Sequence, residues 1–184
     1  MRLHLPPDLI EKLNVELKRA GSREIGGVLV GEHVGDAEFR LVDLSVQRNG
    51  GNVACFVRRP EQHADFLQEF FARTGGAFER FNYLGEWHSH PSFPATPSAV
   101  DVTQMHDVVA GGSGSPLFAV LVVVRLEGEA VQLSAHSFRS GHRPEVVDVV
   151  ITDRPDGDPP PQPVGWLQRL FAPQPRPRRR YRLI

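Results

Sequence analysis

The sequence predicts an α/β domain in which a mixed β-sheet is flanked by helices. Three observations lead there. Segments with apolar residues at helical spacing alternate with segments that alternate apolar and polar. The run "PLFAVLVVV" is apolar without alternation, as in a central strand buried on both faces. Glycines and prolines fall between these segments, where turns and caps need them.

Each element follows in order. Pro7–Ala20 carries Leu9, Ile10, Leu13 and Leu17 near helical spacing, and Gly21 supplies a stop. "EIGGVLVGE" (24–32) is predicted as a strand whose glycines allow close backbone approach. "AEFRLVDLSVQ" (37–47) is a strand with Val42, Leu44 and Val46 expected on one face. Asn49–Gly51 is a turn, and "VACFVRR" (53–59) is a third strand. Pro60 opens a helix with the stripe Phe66, Leu67, Phe70 and Phe71, stopped by Gly75 and Gly76. "RFNYLGEWHSH" (80–90) is a fourth strand, followed by a proline-rich loop and a helix from about Ser98 to Val109. "AGGSGS" is a connector and not a phosphate loop, because no Gly-Lys-Ser/Thr follows it. "AVQLSAHSF" (130–138) alternates and is expected nearer an edge.

The character changes after about Val150, which divides the chain into a domain over 1–150 and a tail over 151–184. The tail holds a proline-rich linker, an apolar island with Trp166, Leu167, Leu170 and Phe171, and the basic end "APQPRPRRRYRLI". From Thr152 onward the balance is +4, against −5 for the rest and −1 overall. The plain reading of that tail is a solvated segment; binding to an acidic partner is the alternative. The overall charge gives no reason to expect nucleic acid as a partner.

Cys55 is the single cysteine, which excludes an intramolecular disulfide and a cysteine-based zinc cluster. It sits between apolar neighbours and is expected to pack. The start "MRLHLPPDLIEKL" lacks the apolar core of a signal peptide, and no apolar run is long enough for a bilayer. A cytoplasmic protein without a membrane partner is expected.

Chemistry concentrates in "GEWHSHPSFPATPSAVD" (85–101). On a strand, His88 and His90 project to one face, ~7 Å apart at their α-carbons. Pro91, Pro94 and Pro97 stiffen a loop that can return Asp101 to the same point. Two imidazoles and a carboxylate make three metal ligands and leave a fourth position for water. The plain alternative is a strand end followed by a capping box, with Ser98 as cap and Asp101 at the third helical position. The two are compatible, since a cap can hold an aspartate still for a metal. Trp87 points to the opposite face and is expected in the core. By alternation Glu86 shares the histidines' face, either solvated or orienting a ligand histidine. His106 lies off the i+4 position from Asp101, His63 sits in a charged helix start and His136 lies on an alternating strand, so all three are read as ordinary.

The pattern His-Ser-His-Pro, six residues, Ser, two residues, Asp, with Glu24 upstream in "EIGGVLVG", resembles the JAMM motif of the JAB/MPN metalloprotease family, in its prokaryotic branch. The resemblance covers roughly residues 1 to 140. It implies an MPN/JAB (cytidine-deaminase-like) fold with a mixed, curved sheet. It implies one zinc ion per chain, held by His88, His90 and Asp101. It further implies Glu24 as general base and Ser98 as oxyanion donor. The implied activity is hydrolysis after the C-terminal glycine of a ubiquitin-like protein, in a conjugate or a precursor. Bacterial E1/E2-like conjugation proteins are candidate partners. Antiphage defence and sulfur-carrier processing are both contexts for such enzymes. A strand edge near Val53–Arg59 is the expected site for adding the substrate tail as a β-strand. A non-catalytic MPN scaffold and a RadC-like protein remain as alternatives. The intact residue set argues against the first, and the lack of a helical N-terminal DNA-binding region argues against the second.

Overall fold

A computed structural model describes residues 1–48, 59–111 and 114–153. The predicted turn at Asn49–Gly51, nearly all of the strand predicted over 53–59, Cys55 and the tail from Arg154 lie outside the described residues.

Eight strands form one sheet in the order β7-β6-β5-β4-β2-β3-β1-β8 among the described residues. They are β1 (Arg2–Leu5), β2 (Gly26–Gly35), β3 (Glu38–Leu44), β4 (Phe81–Ser89), β5 (Ala119–Glu127), β6 (Ala130–Phe138), β7 (Glu145–Val146) and β8 (Asp148–Ile151). The helices are α1 (Pro7–Ala20), α2 (Ala64–Arg73) and α3 (Ala99–Ala110). β4 and β5 pair in parallel, as do β1 with β3 and β1 with β8; the remaining pairs are antiparallel. The sheet is therefore mixed, as expected.

It is also curved, for a topological reason. β7 and β8 stand at opposite ends of the strand order, yet only Val147 separates them in sequence. The sheet must curl until its two edges nearly meet. Val147 N–H donates to the Ala135 carbonyl of β6, and Asp148 N–H donates to the Met1 carbonyl beside β1. These strands are too short to show alternation, and the sequence reading passed over them.

The concave interior is the main core. Leu3, Leu5, Leu29, Leu41, Leu44, Trp87, Val120, Val122 and Val124 meet Leu9, Leu13 and Leu17 of α1 there. Each fully buried leucine contributes about 1.5–3 kcal/mol relative to exposure. Met105 and Val109 of α3 cover the other face through Ala119, Leu121, Val123 and Phe138. β5 is thus buried on both faces, which explains its unbroken apolar run. A third cluster seats Phe70 of α2 on Val30 and Val42.

One departure from simple alternation has a local cause. Val30 pairs with Asp43 and Gly31 with Leu41, so Val42 is the extra residue of a bulge in β3. Val42 consequently faces α2, while Leu41 and Leu44 enter the main core. The expected common face of Val42 and Leu44 is corrected by that bulge. His63, read as an ordinary residue at a helix start, is 2% exposed. Its Nδ1 lies 2.8 Å from Ser45 Oγ and its Nε2 3.2 Å from Gln47 Oε1.

The glycine pair in "EIGG" also has its reason. A β-carbon on Gly27 would lie 2.1 Å from the Ser45 carbonyl oxygen. Ser45 is a junction: its Oγ accepts from Val28 N–H and its carbonyl accepts from Trp87 Nε1–H. Gly85 has φ +154°, and a β-carbon there would meet Val120 O at 1.9 Å. Gly27 thus lets β2 lie close against the residue that follows β3, and Gly85 lets β4 lie close against β5.

Candidate metal centre

The site is built on the last residues of β4, the start of α3 and the residues before β2. His88 pairs with Gly26 of β2 and with Val123 of β5, so its backbone is fixed from both sides. His90 N–H donates to Val124 O, which extends the ladder one residue past the strand. Alternation then brings both imidazoles to one face, and Trp87 goes to the main core on the other.

The loop over 91–97 returns the chain to α3. Ser98 caps that helix through a capping box: Asp101 N–H donates to Ser98 Oγ at 3.3 Å, and Ser98 N–H donates to Asp101 Oδ2 at 2.6 Å. The box holds the Asp101 carboxylate in place, so capping is compatible with presenting that carboxylate to an ion.

Nε2 of His88 and Nε2 of His90 are 3.1 Å apart. Asp101 Oδ1 lies 3.4 Å from the first, and Oδ2 lies 3.5 Å from the second. One donor atom from each residue lies within 4.8 Å of every other. A tetrahedral ion with bonds of ~2.0–2.1 Å has ligand atoms about 3.3 Å apart. The triangle formed by these three residues therefore has the dimensions of such a site.

The electrostatics point the same way. Hydrogen bonding to Asp101, opposed by burial and helped by the Pro94 carbonyl, raises the His90 pKa. Burial pushes Asp101 upward, but bonds from His88, His90 and Ser98 outweigh it and hold the carboxyl well below its usual range. Asp101 thus stays charged beside the imidazoles, and an ion bound there would compete with the proton for their ring nitrogens.

His90 Nδ1 lies 2.9 Å from the Pro94 carbonyl oxygen. With Nδ1–H donating to that carbonyl, Nε2 is left with its lone pair for a metal. This orienting partner is a backbone atom, and the sequence reading, which looked to side chains, missed it. Its only signal was the proline-rich loop directly after the second histidine. Glu86 lies on the His88 face, paired with Val28 and Leu121, and its Oε1 accepts from the Tyr83 hydroxyl at 3.3 Å.

Glu24 lies just before β2 and is 4% exposed. Ile25 is bonded to Ser89, which sets Glu24 level with His90. Burial raises the Glu24 pKa, and the charges of His90, His88 and Asp101 act on it. The predicted strand start at Glu24 is two residues early, since β2 begins at Gly26. Ser98 is exposed beside the carboxylate. Its Oγ accepts from Asp101 N–H with a lone pair, and the hydroxyl proton remains to donate. His106 meets Phe138 edge-on and His136 sits half-buried on β6, both outside the donor triangle.

A curved mixed sheet carrying His-x-His at a strand end, with an aspartate on the following helix, defines a domain with a candidate metal centre. The chain belongs to the prokaryotic JAB-domain family: the profile of prokaryotic homologs of the JAB domain matches residues 6–140. Two curated relatives are both described as CD-NTase/cGAS isopeptidase. The one from Enterobacter hormaechei is 28% identical over 123 residues, covering 62% of this chain and 62% of the relative. The one from Vibrio cholerae is 39% identical over 80 residues, covering 42% of this chain and 49% of the relative. The matches thus span less than two thirds of either relative. The solution structure of a Desulfitobacterium hafniense protein has the same fold, with a TM-score of 0.64 at 16% identity, covering 84% of this chain and 95% of that one.

Proposed function

We propose that this protein is a zinc-dependent isopeptidase that releases a target amine from the C-terminal glycine of a ubiquitin-like protein. The observation that carries the reading is the triangle of His88, His90 and Asp101 donor atoms with a buried glutamate beside it. Membership of the JAB family and the isopeptidase description of two relatives support it. Those descriptions favour a conjugate of a CD-NTase as the substrate class.

In this reading His88, His90 and Asp101 hold one zinc ion. When bound, the ion lowers the pKa of a coordinated water to about 7 and polarises the scissile carbonyl. Glu24 accepts the proton from the attacking water. As the carbon–nitrogen bond breaks, Glu24 returns that proton to the leaving amine. The products are a C-terminal carboxylate and a free amine. Burial of Glu24 raises its proton affinity, which helps it to accept the proton. The Ser98 hydroxyl donates to the oxygen of the tetrahedral intermediate.

The test is hydrolysis of a peptide ending in Gly-Gly-aminomethylcoumarin and of its Gly-Gly-ε-lysine counterpart. Cleavage of both, stopped by a chelator, restored by zinc and reduced by about 10²–10⁴-fold in Glu24→Gln, is expected. A zinc-loaded chain that cleaves neither would leave the scaffold reading in its place.

A further inference from the structure

The residue between the two histidines has its own contacts. Ser89 is 1% exposed, and its side chain points away from the ligand face. Ser89 N–H donates to the Ile25 carbonyl at 2.8 Å. Ile25 N–H donates in return to Ser89 Oγ at 3.0 Å. In an ordinary antiparallel pair that second acceptor would be a backbone carbonyl. Here the hydroxyl replaces it, and regular strand geometry stops at Gly26.

The consequence falls on Glu24, the neighbour of Ile25. Its carboxylate receives no hydrogen bond among the described residues; only burial and the charges of the cluster act on it. Its position is therefore set by backbone, which is held on one side by the Arg23 N–H bond to the Ala20 carbonyl and on the other by the Ser89–Ile25 pair. The same residue is covalently continuous with His88 and His90. One side chain thus joins the segment bearing the metal ligands to the segment bearing the glutamate.

We propose that Ser89 is a positioning residue that holds Glu24 in register with the metal centre. The inference rests on the reading of Glu24 as the base. Without the hydroxyl, Ile25 N–H is buried with no acceptor, and the backbone carrying Glu24 must shift to find one. A displacement of about 1 Å at a catalytic group costs on the order of 100-fold in rate.

The experiment uses the full chain loaded with zinc and the Gly-Gly-aminomethylcoumarin peptide as probe. Ser89→Ala should keep its zinc and its KM within about twofold, and lose on the order of 100-fold in kcat. Ser89→Thr, which keeps the hydroxyl, should recover most of that loss. Should Ser89→Ala not fold, Ser89→Cys takes its place, with folding followed by thermal unfolding. In a Glu24→Gln background the Ser89→Ala change should add nothing, because the group it positions is gone. An unchanged kcat in Ser89→Ala, a loss of zinc, or a further loss on top of Glu24→Gln would each overturn the proposal. An active wild type with an unimpaired Ser89→Ala sinks this inference alone. A zinc-loaded wild type that is inert sinks the functional reading and this one with it.

Discussion

Glu24 and Ser98 show how the environment of one residue decides its chemistry. Glu24 is buried next to histidines, so its carboxylate combines proximity with a raised proton affinity. Glu24→Gln keeps the shape and removes the proposed base. We expect turnover to fall by about 10²–10⁴-fold with zinc content unchanged. Ser98 caps α3, and substitutions can separate that cap from the proposed oxyanion role. Ser98→Ala should lose about 1 kcal/mol of stability with the cap and also lose rate. Ser98→Asp retains a capping acceptor without a hydroxyl donor, so thermal unfolding should stay near wild type while kcat falls. An active Ser98→Asp would contradict the oxyanion role.

Legibility at this scale follows from sequence distance. His88, His90, Ser98 and Asp101 lie within fourteen residues, where strand alternation and one short loop fix their relation. Ser89 and Pro94 lie in the same stretch but act through a long-range hydroxyl bond and a backbone carbonyl, and residue type reveals neither. His63 stayed hidden because its partners Ser45 and Gln47 arrive from another strand.

Among elements, α1, α2 and α3 and the longer strands were readable because each has periodicity or an unbroken apolar run. The Val42 bulge was not, because an added residue in a ladder leaves no compositional trace. Glycines at close backbone approaches were legible as type but not as contact. Gly27→Ala would force the β2 and β3 backbones apart and should lower the thermal midpoint sharply, since the clash is with a carbonyl at 2.1 Å. Ion pairing between elements gives a prediction with a definite sign. Burial pushes Asp43 of β3 upward, but Lys12 of α1 and Arg73 of α2 hold its pKa below the ordinary value. A depressed carboxyl adds stability above its unfolded pKa of ~3.9 and loses it as pH falls through the lower folded value. The stability gap between wild type and Asp43→Asn should be widest near neutrality and narrow progressively below about pH 4. A gap that widened on acidification would contradict the assignment.

Across the whole molecule, curvature brings the pieces together. Val147 forces the two edges of the strand order toward each other, and the curled sheet encloses the main core. A chain ended after Asp153 retains every described strand, all three helices and the candidate centre. We expect it to fold, to take up metal and to cleave the Gly-Gly probe at a rate within a few-fold of the full chain. Loss of folding on that truncation would make residues 154–184 part of the domain rather than an appendage. Among the described residues no helix is long and apolar enough to cross a membrane.

In the proposed function His88, His90 and Asp101 hold one catalytic zinc. The most direct measurement is the metal content of tag-free protein purified without chelator, beside a His90→Ala variant of verified fold. About one zinc per chain in the wild type, and far less in the variant, is the predicted result. A folded wild type that holds no zinc after reconstitution, or a variant that keeps its zinc, would contradict it.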